Sequence, residues 1–181
     1  MNISILNNIL TGANIAIGGA AGNIYGLIIE ANTIYNNSTS QSIDVGSTDD
    51  HDFEGVAIKG NVINGGLNNG IRVYTPNATI TGNTVENKNT HGIVIMPTCD
   101  YATITGNICK NNGVVGSGNG IDVQGTYALI ADNICFDDKG TQNHGIRLEA
   151  GAIAPRLYNN ITYGNENYGI RNDITGQHYY L

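Results

Sequence analysis

Seven asparagines, Asn8, Asn32, Asn61, Asn83, Asn107, Asn133 and Asn160, stand in one recurring context, separated by 24, 29, 22, 24, 26 and 27 residues. Before each lies an alternating stretch that ends in Gly, Asn, Asp or Ala. After each come one further residue and an apolar one, then a loop of varying length. The unit closes on a second fixed column, Ile15, Ile43, Ile71, Ile93, Ile121, Ile146 and Ile170, and the last five of these directly follow Gly70, Gly92, Gly120, Gly145 and Gly169. A period of about 25 residues in constant register, with variable loops, marks a solenoid whose units bury their apolar faces on one another.

Each unit offers three short segments with period-two alternation, such as Ala78-Thr79-Ile80-Thr81, Asn83-Thr84-Val85 and Gly92-Ile93-Val94-Ile95. No stretch of ten residues carries the apolar spacing of three and four that a helix needs. Gly (25 residues) and Asn (27 residues) dominate and Trp is absent, which suits tight turns and penalises helix interiors. The chain is therefore expected to be all-β, a single-stranded parallel β-helix over residues 1–181 with three strands per coil and about seven coils. The Asn column is expected to be an interior ladder, with asparagine occupying the left-handed turn position and each amide bonding the next. Cys109 and Cys135 share the inward column two places after the ladder with Leu10, Ile34, Ile63, Val85 and Thr162, and are expected to be buried reduced thiols.

The net charge of −7 and the lack of a Lys/Arg cluster speak against nucleic acid. No apolar run is long enough to span a bilayer, and the residues after Met1 do not open a leader of the usual kind.

The runs Ala78-Thr-Ile-Thr-Gly-Asn83, Ala102-Thr-Ile-Thr-Gly-Asn107 and Gly120-Ile-Asp-Val123 make nearly all of the chain resemble the pectate-lyase-like superfamily of right-handed β-helices. That superfamily holds polysaccharide lyases, polygalacturonases, epimerases and phage tailspikes. The resemblance implies a polysaccharide or oligosaccharide partner and a groove over the sheet built from the Gly-Ile strands, without fixing a reaction. The carboxylates of a polygalacturonase site are missing beside His91 and His144, and the Tyr-Gly, Asp-Pro-His run of epimerases is absent.

Alternation places Ala16, Asp44, Arg72, Val94, Asp122, Arg147 and Arg171 outward on the Gly-Ile strands. Asp44 with Arg72, and Asp122 with Arg147, are expected as cross-strand pairs. The column is also the candidate groove. Asp122, Arg147 and His144 are the candidate catalytic residues, and Asp44, Arg72, His91 and Arg171 the candidate sugar contacts, because guanidinium groups grip carboxylates bidentately. For a hydrolase, only Asp122 with Asp137 or Asp138 offers a carboxylate pair worth testing. The acidic loop with Asp49, Asp50, Asp52 and Glu54 is a candidate Ca²⁺ site, its alternative being a solvated loop.

The pattern starts at Ile3 and stops soon after Ile170, with Tyr179-Tyr180-Leu181 as a candidate plug. Bare coil ends lead to the expectation of a longer β-helix, a homotrimer or further domains covering them. Two functions follow: a polysaccharide-processing or polysaccharide-binding domain, or a non-catalytic module of a trimeric phage or bacterial surface fibre. Either belongs outside the cell, in the periplasm or on a virion.

Overall fold

The computed structural model describes residues 2–18, 24–37, 40–47, 53 and 55–175. Their strands form three parallel sheets of seven strands, each sheet taking every third strand in chain order. The pre-Asn sheet runs from Asn2–Leu6 to Arg156–Tyr158, the post-Asn sheet from Ile9–Thr11 to Ile161–Tyr163, and the Gly-Ile sheet from Ile15–Ile17 to Tyr168–Asn172. No helix occurs among the described residues, so none is long and apolar enough to cross a membrane.

Alternation dictates what each sheet buries. The central residues of the pre-Asn strands (Ile29, Ile58, Ile80, Ile104, Ile130) meet the inward column of the post-Asn sheet (Ile34, Ile63, Val85, Cys109, Cys135), and all are fully buried. Ile43, Ile71, Ile93, Ile121 and Ile146 close the third side, also with no exposed surface. Each such aliphatic chain contributes about 1.5–3 kcal/mol on burial. Cys109 and Cys135 are register partners on adjacent coils, and the three cysteines are free and buried.

The Asn ladder runs through all seven predicted residues. Asn83 shows the rule: its backbone N–H and its Nδ2 both donate to Oδ1 of Asn107, at 3.0 and 2.9 Å, and Nδ2 also donates to the Ile58 carbonyl at 3.0 Å. Asn32, Asn61, Asn83, Asn107 and Asn133 are fully buried, whereas Asn8 is exposed and Asn160 half-buried at the two ends. One detail differs from expectation. The left-handed residue is the one before the ladder asparagine: Asn7 (φ 57°), Ala31 (56°), Gly60 (58°), Gly82 (63°), Gly106 (64°), Asp132 (56°) and Asn159 (49°). That residue turns the corner, and the asparagine after it fills the inside.

The Gly-Ile signature has a steric cause. A Cβ on Gly120 would lie 2.5 Å from the Gly145 carbonyl oxygen and 3.1 Å from Cys135 Cβ, and one on Gly92 would lie 2.5 Å from the Gly120 oxygen. The chain enters this sheet pressed against the post-Asn sheet, where only hydrogen fits. As a result, the residue before each of these glycines can face outward and join the site.

Candidate functional site

The outer face of the Gly-Ile sheet carries three columns of side chains. The middle column is the predicted one. On one side stand the residues before each Gly, Asn69, His91, Asn119, His144 and Tyr168. On the other are the residues that follow each strand's second inward position, Tyr74, Met96, Gln124, Glu149 and Asp173. Register pairs Asn119 with His144 and His144 with Tyr168, and pairs Val94 with Asp122, Asp122 with Arg147 and Arg147 with Arg171. Strand spacing sets neighbouring rows about 4.8 Å apart.

The predicted residues divide into two groups. At one end Arg72 grips Asp44 bidentately, Nε to Oδ1 at 2.9 Å and Nη2 to Oδ2 at 2.7 Å, and lies 5.2 Å from the Tyr74 ring. That pair, expected from the sequence, is closed on itself. Val94, 3 % exposed, separates it from the other five: His91, Asp122, His144, Arg147 and Arg171.

Asp122 is 1 % exposed. Its carboxylate accepts from Asn119 Nδ2 at 2.7 Å and from Gln124 Nε2 at 3.0 Å. The expected ion pair with Arg147 does not form. Arg147 instead donates through Nη1 to Glu149 at 2.7 Å and through Nε to Asp173 at 2.8 Å, because those carboxylates lie farther out, where the long guanidinium arm reaches. Arg171 donates to the other oxygen of Asp173 at 2.7 Å and sits 5.9 Å from the Tyr168 ring. The carboxylate pairing of Asp122 with Asp137 or Asp138 is also absent. Asp137 is buried and caps its own turn through the N–H groups of Lys139, Thr141 and Gln142, while Asp138 is bound to Lys110 and Asn111. Loop direction decides this: both aspartates follow a post-Asn strand and stay at that corner.

Both histidines are neutral near pH 7. Burial, only partly opposed by Asp122, holds His91 below the usual histidine range, and its Nδ1 accepts the Asn119 N–H at 3.0 Å, so its proton sits on Nε2. Burial, then Arg171 and Arg147, lowers His144. His144 is 2 % exposed and its ring lies 5.4 Å from that of Tyr168; its buried Nδ1 has no hydrogen-bond partner among the described residues. The carboxylates are driven apart: burial and then Asp122 raise Glu149, while hydrogen bonds from Arg171 and Arg147 lower Asp173.

Sequence reasoning missed Glu149, Asp173, Asn119, Gln124 and Tyr168 as members of this cluster. Their signal is a fixed offset from the Gly-Ile pair, one residue before the Gly or three after the Ile. The candidate calcium ligands Asp49, Asp50, Asp52 and Glu54, and the Tyr179-Tyr180-Leu181 plug, lie outside the described residues.

In comparison with known proteins, the sequence matches the family described as "Right handed beta helix region" over residues 25–180. No curated protein matches it in sequence. Two solved structures share the fold, both A-modules of Azotobacter vinelandii mannuronan C-5 epimerases. That of AlgE4 has a TM-score of 0.58 and 14 % identity, over 97 % of this chain and 58 % of its own. The AlgE6 module has a TM-score of 0.55 and 12 % identity, over 95 % of this chain and 56 % of its own. The chain thus spans somewhat over half the length of each module. With its coils, its ladder and the match over residues 25–180 in agreement, the chain belongs to the right-handed β-helix family.

Proposed function

We propose that this chain is a polysaccharide-acting β-helix domain whose sugar polymer lies along the outer face of the Gly-Ile sheet, over the rows from His91 to Asp173. The observation that carries the reading is the convergence of Arg147 and Arg171 on Asp173, beside neutral His144, Tyr168 and a Glu149 whose pKa is raised. Arg147, Arg171 and Glu149 keep about a third of their side chains exposed (31 %, 42 % and 27 %), within reach of a ligand. Two guanidinium groups suit an acidic sugar, since they neutralise its carboxylate and the enolate formed when the adjacent C–H loses its proton. The neutral imidazole of His144 can take that proton; a proton returned to the opposite face inverts the carbon, and loss of the glycosidic oxygen on the neighbouring ring carbon, protonated as it leaves by the Tyr168 hydroxyl, cleaves the chain. Asp122 has both carboxylate oxygens engaged by Asn119 and Gln124 and acts by orienting those two side chains. The hydrolase alternative has less support, because the reachable carboxylates Glu149 and Asp173 are both tied to Arg147. The two epimerase modules that share the fold act, by their names, on mannuronan, which agrees with an acidic substrate and an extracellular setting.

A second reading, a structural module of an oligomeric fibre, draws on one observation. The outer face of the post-Asn sheet exposes an apolar column including Ile9 (76 %), Val62 (39 %), Ile108 (37 %) and Ile161 (54 %). Incubation with mannuronan or polygalacturonate in D₂O separates the readings. The first expects deuterium at the carbon beside the carboxylate, or an unsaturated product, with either lost in Arg171→Ala. Neither exchange, cleavage nor binding, from a chain that sediments as an oligomer, would sink it.

A further inference from the structure

A second stack of polar side chains runs inside the turn after the post-Asn sheet. Asn112 Nδ2 donates to Gln142 Oε1 at 3.1 Å, and Gln142 Nε2 to Asn165 Oδ1 at 2.7 Å. The next rung is Lys88, whose backbone N–H donates to Asn112 Oδ1 at 3.2 Å. The rung beyond is Gly66, and there no amide fits. Gly66 has φ 112°, and a Cβ on it would lie 2.6 Å from the Asn37 carbonyl oxygen and 2.6 Å from Lys88 Nζ. The lysine side chain is fully buried, and its Nζ fills this gap, donating to the Gly65 carbonyl at 2.8 Å and to Ser42 Oγ at 2.9 Å.

Two acceptors match the two N–H groups of a neutral amine; an ammonium has three, and the third finds no partner among the described residues. No ion pair reaches Lys88 among the described residues. The groups it bonds, Ser42 Oγ, the Gly65 carbonyl and Asn112 Oδ1, do not ionise. The nearest charged groups along the strands, Glu86 and Lys110, sit on the outer face, half-buried, where Glu86 accepts from Asn64 and Lys110 pairs with Asp138. The Lys88 carbonyl in turn holds the N–H groups of Gly113 and Val114, and Gly113 N–H also bonds Thr90, the residue before His91.

We propose that Lys88 is a substitute rung whose amine takes the place of the amide that Gly66 excludes, and that its proton controls how firmly the turn carrying His91 is held. Burial lowers the amine from the ordinary 10.5 to about 8, in keeping with this geometry. The sign follows. Below about pH 8 the folded chain bears a buried cation and is destabilised; between about 8 and 10.5 the unfolded chain holds the proton that the folded one has released, so stability rises with pH.

The test is a titration of the intact chain with ¹³C-labelled lysine, which has only Lys59, Lys88, Lys110 and Lys139 to resolve. Lys88 is expected to titrate near 8, well below the ordinary lysine value of 10.5, and the Asn119 amide that bonds His91 is expected to move with the same midpoint. In thermal melts, the wild type should gain about 4 °C or more over Lys88→Met between pH 8 and 10.5. A Lys88 that titrates near 10.5, an Asn119 amide that ignores it, or parallel melting curves for wild type and Lys88→Met would overturn the proposal. The titration needs no variant, so a misfolded Lys88→Met leaves it decisive.

Discussion

One asparagine in the ladder serves four partners. Asn107 Oδ1 accepts from the N–H and Nδ2 of Asn83, and its own Nδ2 donates to the carbonyls of Ile80 and Thr105 and to Asn133 Oδ1. Asn107→Ala strands several buried groups at once and is expected to cost about 3 kcal/mol or more in chemical denaturation. Asn77 lies outside the ladder column and stands at φ 58° in a turn, so Asn77→Ala should cost only about 1 kcal/mol, from left-handed strain. Equal losses would contradict the ladder. The histidines supply a pH prediction at the same scale. Because His91 and His144 are lowered in the fold, their contribution to stability should be full above about pH 6.5 and fall as the pH drops below it, as the unfolded chain takes up protons first. His144→Phe should flatten part of that acid limb in a series of melts.

Among elements, the glycines before the Gly-Ile strands separate close approach from turn formation. Gly120→Ala must push a Cβ into the Gly145 carbonyl, and an expected loss of at least about 3 kcal/mol should leave little folded protein, whereas Gly140→Ala, at φ 71° with open space around it, should cost about 1 kcal/mol. Thermal melts of the two variants decide it. These elements also show what could be read in advance. The ladder, the inward column through Cys109 and Cys135 and the Asp44–Arg72 pair follow from a period of two laid on a period of about 25 residues, and sequence displays both. The second stack was hidden, because Lys88, Asn112, Gln142 and Asn165 share a place in space without sharing a residue type. The partners of Arg147 were hidden for another reason. Alternation tells which face a residue points to, but side-chain reach chose Glu149 and Asp173 over the register partner Asp122.

For the whole molecule, the solenoid is a rigid rod on which function depends on which of three flanks faces the ligand. Two flanks are poor in groups that bind acidic sugar: threonines dominate the outer middle of the pre-Asn sheet, and aliphatic side chains line much of the post-Asn sheet. Among the described residues, the Gly-Ile flank alone brings together arginines, neutral histidines and carboxylates of opposed affinity for protons. Arg147→Ala is expected to weaken binding of an oligouronate roughly tenfold or more by releasing both Glu149 and Asp173 from the site, while costing only about 1–2 kcal/mol of stability, since its pairs are partly exposed. The most direct measurement is a backbone amide chemical-shift map of the ¹⁵N-labelled chain titrated with an oligomannuronate. The account predicts saturable shifts concentrated between His91 and Asp173 on the Gly-Ile sheet, at Asn119, His144, Arg147, Tyr168 and Arg171, and their loss in Arg147→Ala; shifts centred on Thr79 and Thr103 of the pre-Asn sheet, or none on any face, would contradict it.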